Sequence, residues 1–319
     1  DLTPLVQALS KKKLILQGAD FDIRILKKSY GFKPLEIFDT MIAAQFLGYP
    51  KQGLADLASR HCGLALSKSS QKADWARRPL DETLLTYAVN DTKHLKAIHD
   101  CMEKELRDLG RIEWHRQACA KLLKTLENAA PKTESQRPWQ IKGAKDLSER
   151  ALTLLKELWF WREEEAKKKD RPSFKILNTE YLLEIARWAD KNPDKDILEW
   201  ESGPRHVRGL YRDVLNDILR RALALAPMRY AYPLREAKPQ KWGNAENDRL
   251  TALKAEREKI AKELAIHPSL LATNTVLEAL SLAPPKELKG LEELDLLLPW
   301  QVEVVGEEFL KVLNAPKKG

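Results

Sequence analysis

The sequence predicts an α/β domain with a partly parallel sheet, followed by two all-α domains. Three observations predict this. Short apolar runs alternate with helical periodicity through residues 1–125, in strand–helix–strand–helix order. Two polar, proline-bearing stretches, 127–138 and 227–243, lack periodicity and read as linkers. The helical stretches at 139–226 and 244–319 share one tone, a long helix followed by a short loop and a second helix. The expected domains are therefore 1–126, 139–226 and 244–319.

The elements follow in order. Leu2 to Leu9 reads as a helix. Leu14-Ile15-Leu16 is a short buried strand closed by Gly18. Phe21, Ile25 and Leu26 give a helical apolar spacing that runs to Tyr30 and stops at Gly31. Leu35 to Phe38 is the second strand, and Asp39-Thr40 caps a helix that ends near Gly48. Leu54–Cys62 and Glu82–Leu109 are further helices. Two strands make a small sheet, so the pattern resembles the back half of a domain whose first strands lie before Asp1.

Beyond the first linker, Ser148–Lys168 is one amphipathic helix with a basic end, broken at Pro172. Thr179–Ala189 and Gly203–Leu225 supply further helices. Asn247–Leu264, Asn274–Leu282 and Trp300–Leu313 repeat the arrangement. Ile176-Leu177-Asn178-Thr179-Glu180-Tyr181-Leu182 in one unit answers Leu270-Leu271-Ala272-Thr273-Asn274-Thr275-Val276-Leu277 in the other, which points to an internal duplication.

Composition narrows the function classes. With 319 residues and 43% hydrophobic content the chain is globular. No apolar run approaches the roughly 20 residues of a membrane span, and the N-terminus has no signal-peptide pattern. Cys62, Cys101 and Cys119 are odd in number and scattered, which argues against a zinc knuckle or a disulfide frame and fits a reducing cytoplasm. The net charge of +8 suits a polyanionic partner, and most of the excess lies in residues 1–137.

Thr86-Tyr87-Ala88-Val89-Asn90-Asp91 carries the chemistry. Tyr87 and Asp91 are four residues apart on a helix, so they leave the same face. A carboxylate there can hold a divalent metal and a phenol there can touch its water, whereas the plain reading is a packed ring and a solvated acid. Asp22 is a second carboxylate far upstream, and an acid early in a helix also serves the helix dipole. Asp20, its neighbour in Asp20-Phe21-Asp22, reads as a helix N-cap. Asp39 reads as a cap or as support for the site, and Asp74 as the cap of a turn.

Four segments in register carry a family resemblance: Gly18-Ala19-Asp20-Phe21-Asp22-Ile23, Phe38-Asp39-Thr40, Ala73-Asp74-Trp75-Ala76-Arg77-Arg78-Pro79-Leu80 and Tyr87-Ala88-Val89-Asn90-Asp91. Their order is similar to that of ribonuclease D, in the DEDD 3′–5′ exonucleases with a motif tyrosine. The helical repeats resemble HRDC domains. The resemblance implies a ribonuclease H-like, DnaQ-like exonuclease fold truncated at its N-terminal strands, followed by two HRDC-like domains. It implies two divalent cations, Mg²⁺ or Mn²⁺, with Asp22 and Asp91 as ligands and Tyr87 orienting the attacking water. It also implies hydrolysis of RNA 3′ ends, in precursor tRNA or other small structured RNA, by a cytoplasmic monomer.

The family's first motif, an Asp-x-Glu strand, should lie upstream of Leu2 and is not in the sequence as given. Two carboxylates leave two dications underneutralised, so this chain is expected to be a catalytically silent fragment of an active parent. The alternative is a non-catalytic RNA-binding adaptor with a decayed nuclease half.

Trp75 and Arg78 either buttress the core or meet the RNA backbone. Lys142, Lys145, Lys167, Lys168, Lys169, Arg171 and Lys175 either neutralise phosphates or form a solvated face. Trp139, Trp159, Trp161 and Trp188 read as core rather than stacking platforms. The last unit is slightly acidic, which suits a packing role.

Overall fold

The computed structural model describes residues 2–67, 69–129, 137–232 and 242–315. The linkers expected at 127–138 and 227–243 fall largely outside these residues. The chain divides into two compact units, one built from its beginning and its end, the other from its middle.

The first unit opens with helix α1 (Thr3–Leu9), strand β1 (Lys13–Leu16), helix α2 (Ala19–Tyr30) and strand β2 (Glu36–Asp39). The strands pair in parallel, Leu14 beside Ile37 and Ile15 beside Phe38. Parallel pairing needs a crossover, and α2 supplies it. Gly18 and Gly31, at φ +71° and +65°, bracket α2 in the left-handed region that glycine enters freely.

Helix α3 (Thr40–Phe46) starts at the end of β2, and α4 (Leu54–Cys62) follows. The stretch read as one helix from Glu82 to Leu109 is two, α5 (Glu82–Lys93) and α6 (Leu95–Asp108), parted at His94. Neither proline nor glycine marks the break. The change is tertiary: α6 buries Ile98, Met102 and Leu106 in the core, while α5 buries only Leu84. Helix α7 (Ile112–Asn128) completes this stretch, lies against β2, and extends into the expected linker.

The apolar spacing on α2 also needs correction. Phe21 is 68% exposed and Ile25 is exposed, whereas Ala19 and Ile23 are buried. The buried face of α2 packs on Ile37 of β2 and on Cys119 and Leu126 of α7.

The second unit holds α8 (Glu149–Lys168), α9 (Ser173–Ile176), α10 (Thr179–Lys191), α11 (Arg205–Leu210) and α12 (Arg212–Ala224). Ser148 caps α8 by accepting from the Ala151 amide at 2.9 Å. Trp139, Leu154, Leu155, Leu158, Ile185 and Leu215 centre its core, with Trp159, Trp161 and Trp188 packed at its margin.

The chain then returns to the first unit with α13 (Asn244–Glu263), α14 (Pro268–Leu271), α15 (Asn274–Leu282), α16 (Leu288–Glu293) and α17 (Pro299–Leu313). Although the sequence separates 1–126 from 244–319, in the structure one hydrophobic core runs through both. Phe38, Phe46, Leu57, Ile98 and Met102 share it with Leu253, Leu277, Trp300, Val305 and Phe309. Trp114 of α7 stacks on Trp300 at 4.6 Å.

Buried Arg111 donates to the Phe46 carbonyl and the Leu264 carbonyl, both at 2.7 Å. These carbonyls close α3 and α13, so one guanidinium answers two helix C-termini. Gly48 sits so close to the Ala265 carbonyl that a Cβ would lie 2.2 Å from its oxygen, and only glycine allows the approach.

The duplication is visible at the level of single bonds. Arg162 on α8 donates to the Leu177 carbonyl and the Thr179 hydroxyl, and pairs with Glu163. Arg257 on α13 donates to the Ala272 carbonyl and the Asn274 side-chain oxygen, and pairs with Glu258. Each partner sits at the same sequence offset from its arginine, and each arginine is buried.

Candidate active site

Helix α5 positions two of the three expected site residues. Asp81 caps it, accepting from the Leu84 amide at 2.9 Å. Six of its residues, 82, 83, 86, 87, 90 and 91, fall on one face and line a cavity of about 350 Å³. Leu66, Ser67 and Ser70 complete the lining. Tyr87 and Asp91 thus share one cavity.

Tyr87 is half-buried, and its ring lies 5.7 Å from that of Trp75 at 54°. The Trp75 turn is held by Asp74, which accepts from the Ala76 amide at 3.2 Å, as expected of a turn cap. Arg78 closes the same turn, donating to the Trp75 and Arg77 carbonyls at 2.8 Å each. Trp75 thus packs beside the Tyr87 ring and is not among the residues that line the cavity. Arg78 is exposed and bonds to main chain, with no ion pair among the described residues.

Electrostatics define the protonation states. Burial pushes the Tyr87 phenol above its ordinary value, and the nearby Asp91 charge adds to this, so the hydroxyl keeps its proton at neutral pH. Burial also raises Asp91.

Asp22 lies in the first turn of α2, exposed, and is not among the residues that line the cavity. Its carboxyl is raised by burial and then by the like charge of Asp39. Asp39 is 2% exposed and accepts from four amides: Gly18, Ala19, Met41 and Ile42. It caps α2 and α3 together, which leaves Asp20 without the capping role the sequence suggested. Asp20 pairs instead with Arg24 at 2.8 Å.

Two of the basic residues singled out in the middle unit are engaged. Lys167 pairs with Glu164 at 2.8 Å, and Lys169 bonds Glu165 and the Tyr211 hydroxyl. Lys142 and Lys168 are exposed. Glu82, Thr83 and Ser70 line the cavity without having been singled out from sequence. The signal that finds Glu82 and Thr83 is the spacing i, i+1, i+4, i+5, i+8, i+9, one stripe of a capped helix.

The donor chemistry bears on a metal. Asp22 and Asp91 offer hard oxygen donors, and neither makes an ion pair or hydrogen bond within the described residues. A partly desolvated acid with a raised pKa and no cationic neighbour suits a ligand to a divalent cation. Among the described residues no group of three or more metal-ligating side chains comes together, and Asp22 is not among the residues that line the cavity of Asp91.

Known proteins resemble the chain in sequence and in fold. The family model described as 3′–5′ exonuclease matches residues 1–107. The HRDC domain model matches residues 151–195 and 246–313. Ribonuclease D of Pseudomonas paraeruginosa is 27% identical over 322 residues, covering 99% of this chain and 82% of that protein. A protein from Bifidobacterium adolescentis of known crystal structure is similar with a TM-score of 0.75 at 23% identity, covering 99% of this chain and 81% of that one. Escherichia coli RNase D, described as an exoribonuclease involved in structured RNA processing, gives a TM-score of 0.55 at 21% identity, with 99% and 84% covered. The two structural likenesses establish the fold.

Proposed function

We propose that the chain, which is similar to ribonuclease D and matches the 3′–5′ exonuclease and HRDC models, is a 3′–5′ exoribonuclease that trims the 3′ ends of precursor tRNA or other small structured RNA in the cytoplasm, as a monomer. The observation that carries the reading is the shared cavity of Tyr87 and Asp91 on α5. Asp22 and Asp91 would hold divalent cations, Mg²⁺ or Mn²⁺. When bound, these supply Lewis acidity at the scissile phosphate and lower the pKa of water.

Tyr87 keeps its proton and therefore donates a hydrogen bond, which orients the attacking water in line with the leaving 3′ oxygen. Trp75 fixes the ring from behind. The exposed lysines Lys142 and Lys168, with Lys167 and Lys169 beside them, neutralise RNA phosphates at the middle unit.

Release of nucleoside 5′-monophosphates from a 3′-labelled RNA, with Mg²⁺ or Mn²⁺ present and an Asp-x-Glu strand supplied upstream of Leu2, tests the proposal, the chain without that strand being expected to release little or nothing. Asp91→Ala abolishes release and Tyr87→Phe slows it at least a hundredfold. RNA binding without release by the protein carrying the Asp-x-Glu strand, at any metal concentration, would replace this reading with that of an RNA-binding adaptor.

A further inference from the structure

A second cavity, of about 710 Å³, lies between α7 and the turn that leads into α17. Both elements belong to the first unit, and the Trp300 amide ties them, donating to the Gln117 side-chain oxygen at 3.1 Å. The cavity shares no lining residue with the one on α5.

One stripe of α7 forms its wall, with Lys121, Lys124 and Asn128 at one-turn spacing. Neither lysine ammonium makes an ion pair or hydrogen bond among the described residues. The negative end of α7 does not need them, because Lys27 already donates to the Leu126 and Glu127 carbonyls at 2.5 and 2.8 Å. From the turn, Asp295 lines the cavity at φ +49°, its carboxylate equally uncommitted among the described residues. Leu297 and Leu298 add apolar surface.

A bare anion would meet Asp295, and a purely apolar ligand would meet three charges. A nucleoside monophosphate answers every group. Its phosphomonoester, with a charge of about −2 at neutral pH, matches two ammonium groups. Its ribose hydroxyls donate to a carboxylate. Its base covers the leucines and bonds the Asn128 amide. The volume falls within the roughly 300–1,000 Å³ of small-molecule sites.

We propose that this cavity binds a nucleoside 5′-monophosphate, either the free nucleotide or the 5′-phosphorylated end of an RNA. The site goes beyond the exoribonuclease reading and does not depend on it.

Equilibrium dialysis of the full chain against radiolabelled 5′-AMP, with EDTA present, is the test. One saturable site is expected. Adenosine and 2′,3′-dideoxyadenosine 5′-monophosphate, measured as competitors, bind at least tenfold more weakly. The double variant Lys121→Gln, Lys124→Gln binds 5′-AMP at least tenfold more weakly, and its circular dichroism is unchanged because both positions are exposed. Asp295→Gly, which suits the left-handed backbone, removes the preference for 5′-AMP over the dideoxy analogue.

Absence of saturable binding up to about 1 mM 5′-AMP, unchanged affinity in the lysine variant, or an unchanged preference in Asp295→Gly overturns the proposal. A 5′-phosphorylated single-stranded RNA then separates the two sources. Displacement of 5′-AMP assigns the site to an RNA end, and 5′-AMP left in place assigns it to the free nucleotide.

Discussion

Asp39 accepts a hydrogen bond from the Ala19 amide at 2.7 Å, across a gap of twenty residues in sequence. The same carboxylate accepts from Gly18, Met41 and Ile42. One buried acid thus fixes the start of the helix that carries Asp22 and the start of the next helix at once. Helix N-termini leave amides unsatisfied, and an acid there is favoured by both hydrogen bonding and the helix dipole.

Asp39→Ala is therefore expected to destabilise the protein by roughly 2–4 kcal/mol, about one cap lost at each of two helices. Asp39→Asn keeps one acceptor oxygen and is expected to cost less. Urea denaturation followed by circular dichroism measures both. A loss under 0.5 kcal/mol for Asp39→Ala would contradict the double cap.

The matched arginines make a paired prediction. Arg162→Ala and Arg257→Ala each remove a buried cation that donates to a carbonyl and a side-chain oxygen, at an expected cost of roughly 2–3 kcal/mol. Lysine restores neither, because a single ammonium cannot reproduce the guanidinium fork. Hydrogen exchange localises the effect: Arg162→Ala lowers protection in residues 137–232, and Arg257→Ala lowers it in the other unit.

Trp300 tests the shared core. It is 2% exposed and stacks on Trp114 while meeting Phe46 edge-on at 5.3 Å. Trp300→Ala is expected to cost about 3–5 kcal/mol. The informative readout is again hydrogen exchange, since protection should fall in β1, β2 and α6 as well as in α13 to α17. Loss confined to residues 242–315 would mean that the two stretches fold independently.

His115 predicts an acid-sensitive fold. It is buried beside Phe38 with a ring nitrogen 3.1 Å from the Asp39 carbonyl, and burial holds its pKa down to about 4. The Asp39 contact pulls upward, and Lys13 and His99 oppose protonation. In the unfolded chain the value is near 6.5, so the unfolded state takes the proton first. The contribution is complete above pH 6.5 and is lost as pH falls toward 4, by about 3 kcal/mol. His115→Gln should flatten this part of the stability profile, which denaturation midpoints between pH 4 and 7 would reveal.

The legible parts of the fold are those written in local chemistry. Gly31, Asp39 and Ser148 mark helix ends by mechanisms that need only a few neighbouring residues. The strands at 13–16 and 36–39 follow from short apolar runs. The duplication was visible as shared tone and becomes specific in Arg162 and Arg257.

What eluded the sequence depends on distant partners. The break at His94 has no local marker. Phe21 and Ile25 keep helical spacing yet face outward, because β2 and α7 meet α2 on the side of Ala19 and Ile23. In the candidate site, Tyr87 and Asp91 were legible as a one-turn pair, and their common cavity agrees. Asp22 was legible only as a motif member, and its exposure and its like-charge neighbour are tertiary facts. Ser70 lies in a short turn, and nothing in its own sequence points toward α5.

The core that joins Phe46 to Trp300 has a consequence for synthesis. The part of the core that Phe38, Phe46, Leu57, Ile98 and Met102 contribute is not completed until residues 242–313 leave the ribosome. At ordinary translation speeds of about 5–20 residues per second the delay after residue 129 is roughly 10–40 s. During that interval the middle unit can already assemble around Leu154 and Ile185, while the N-terminal stretch waits with its half of the core uncovered. A nascent chain of this protein therefore matures out of order, middle first and ends last.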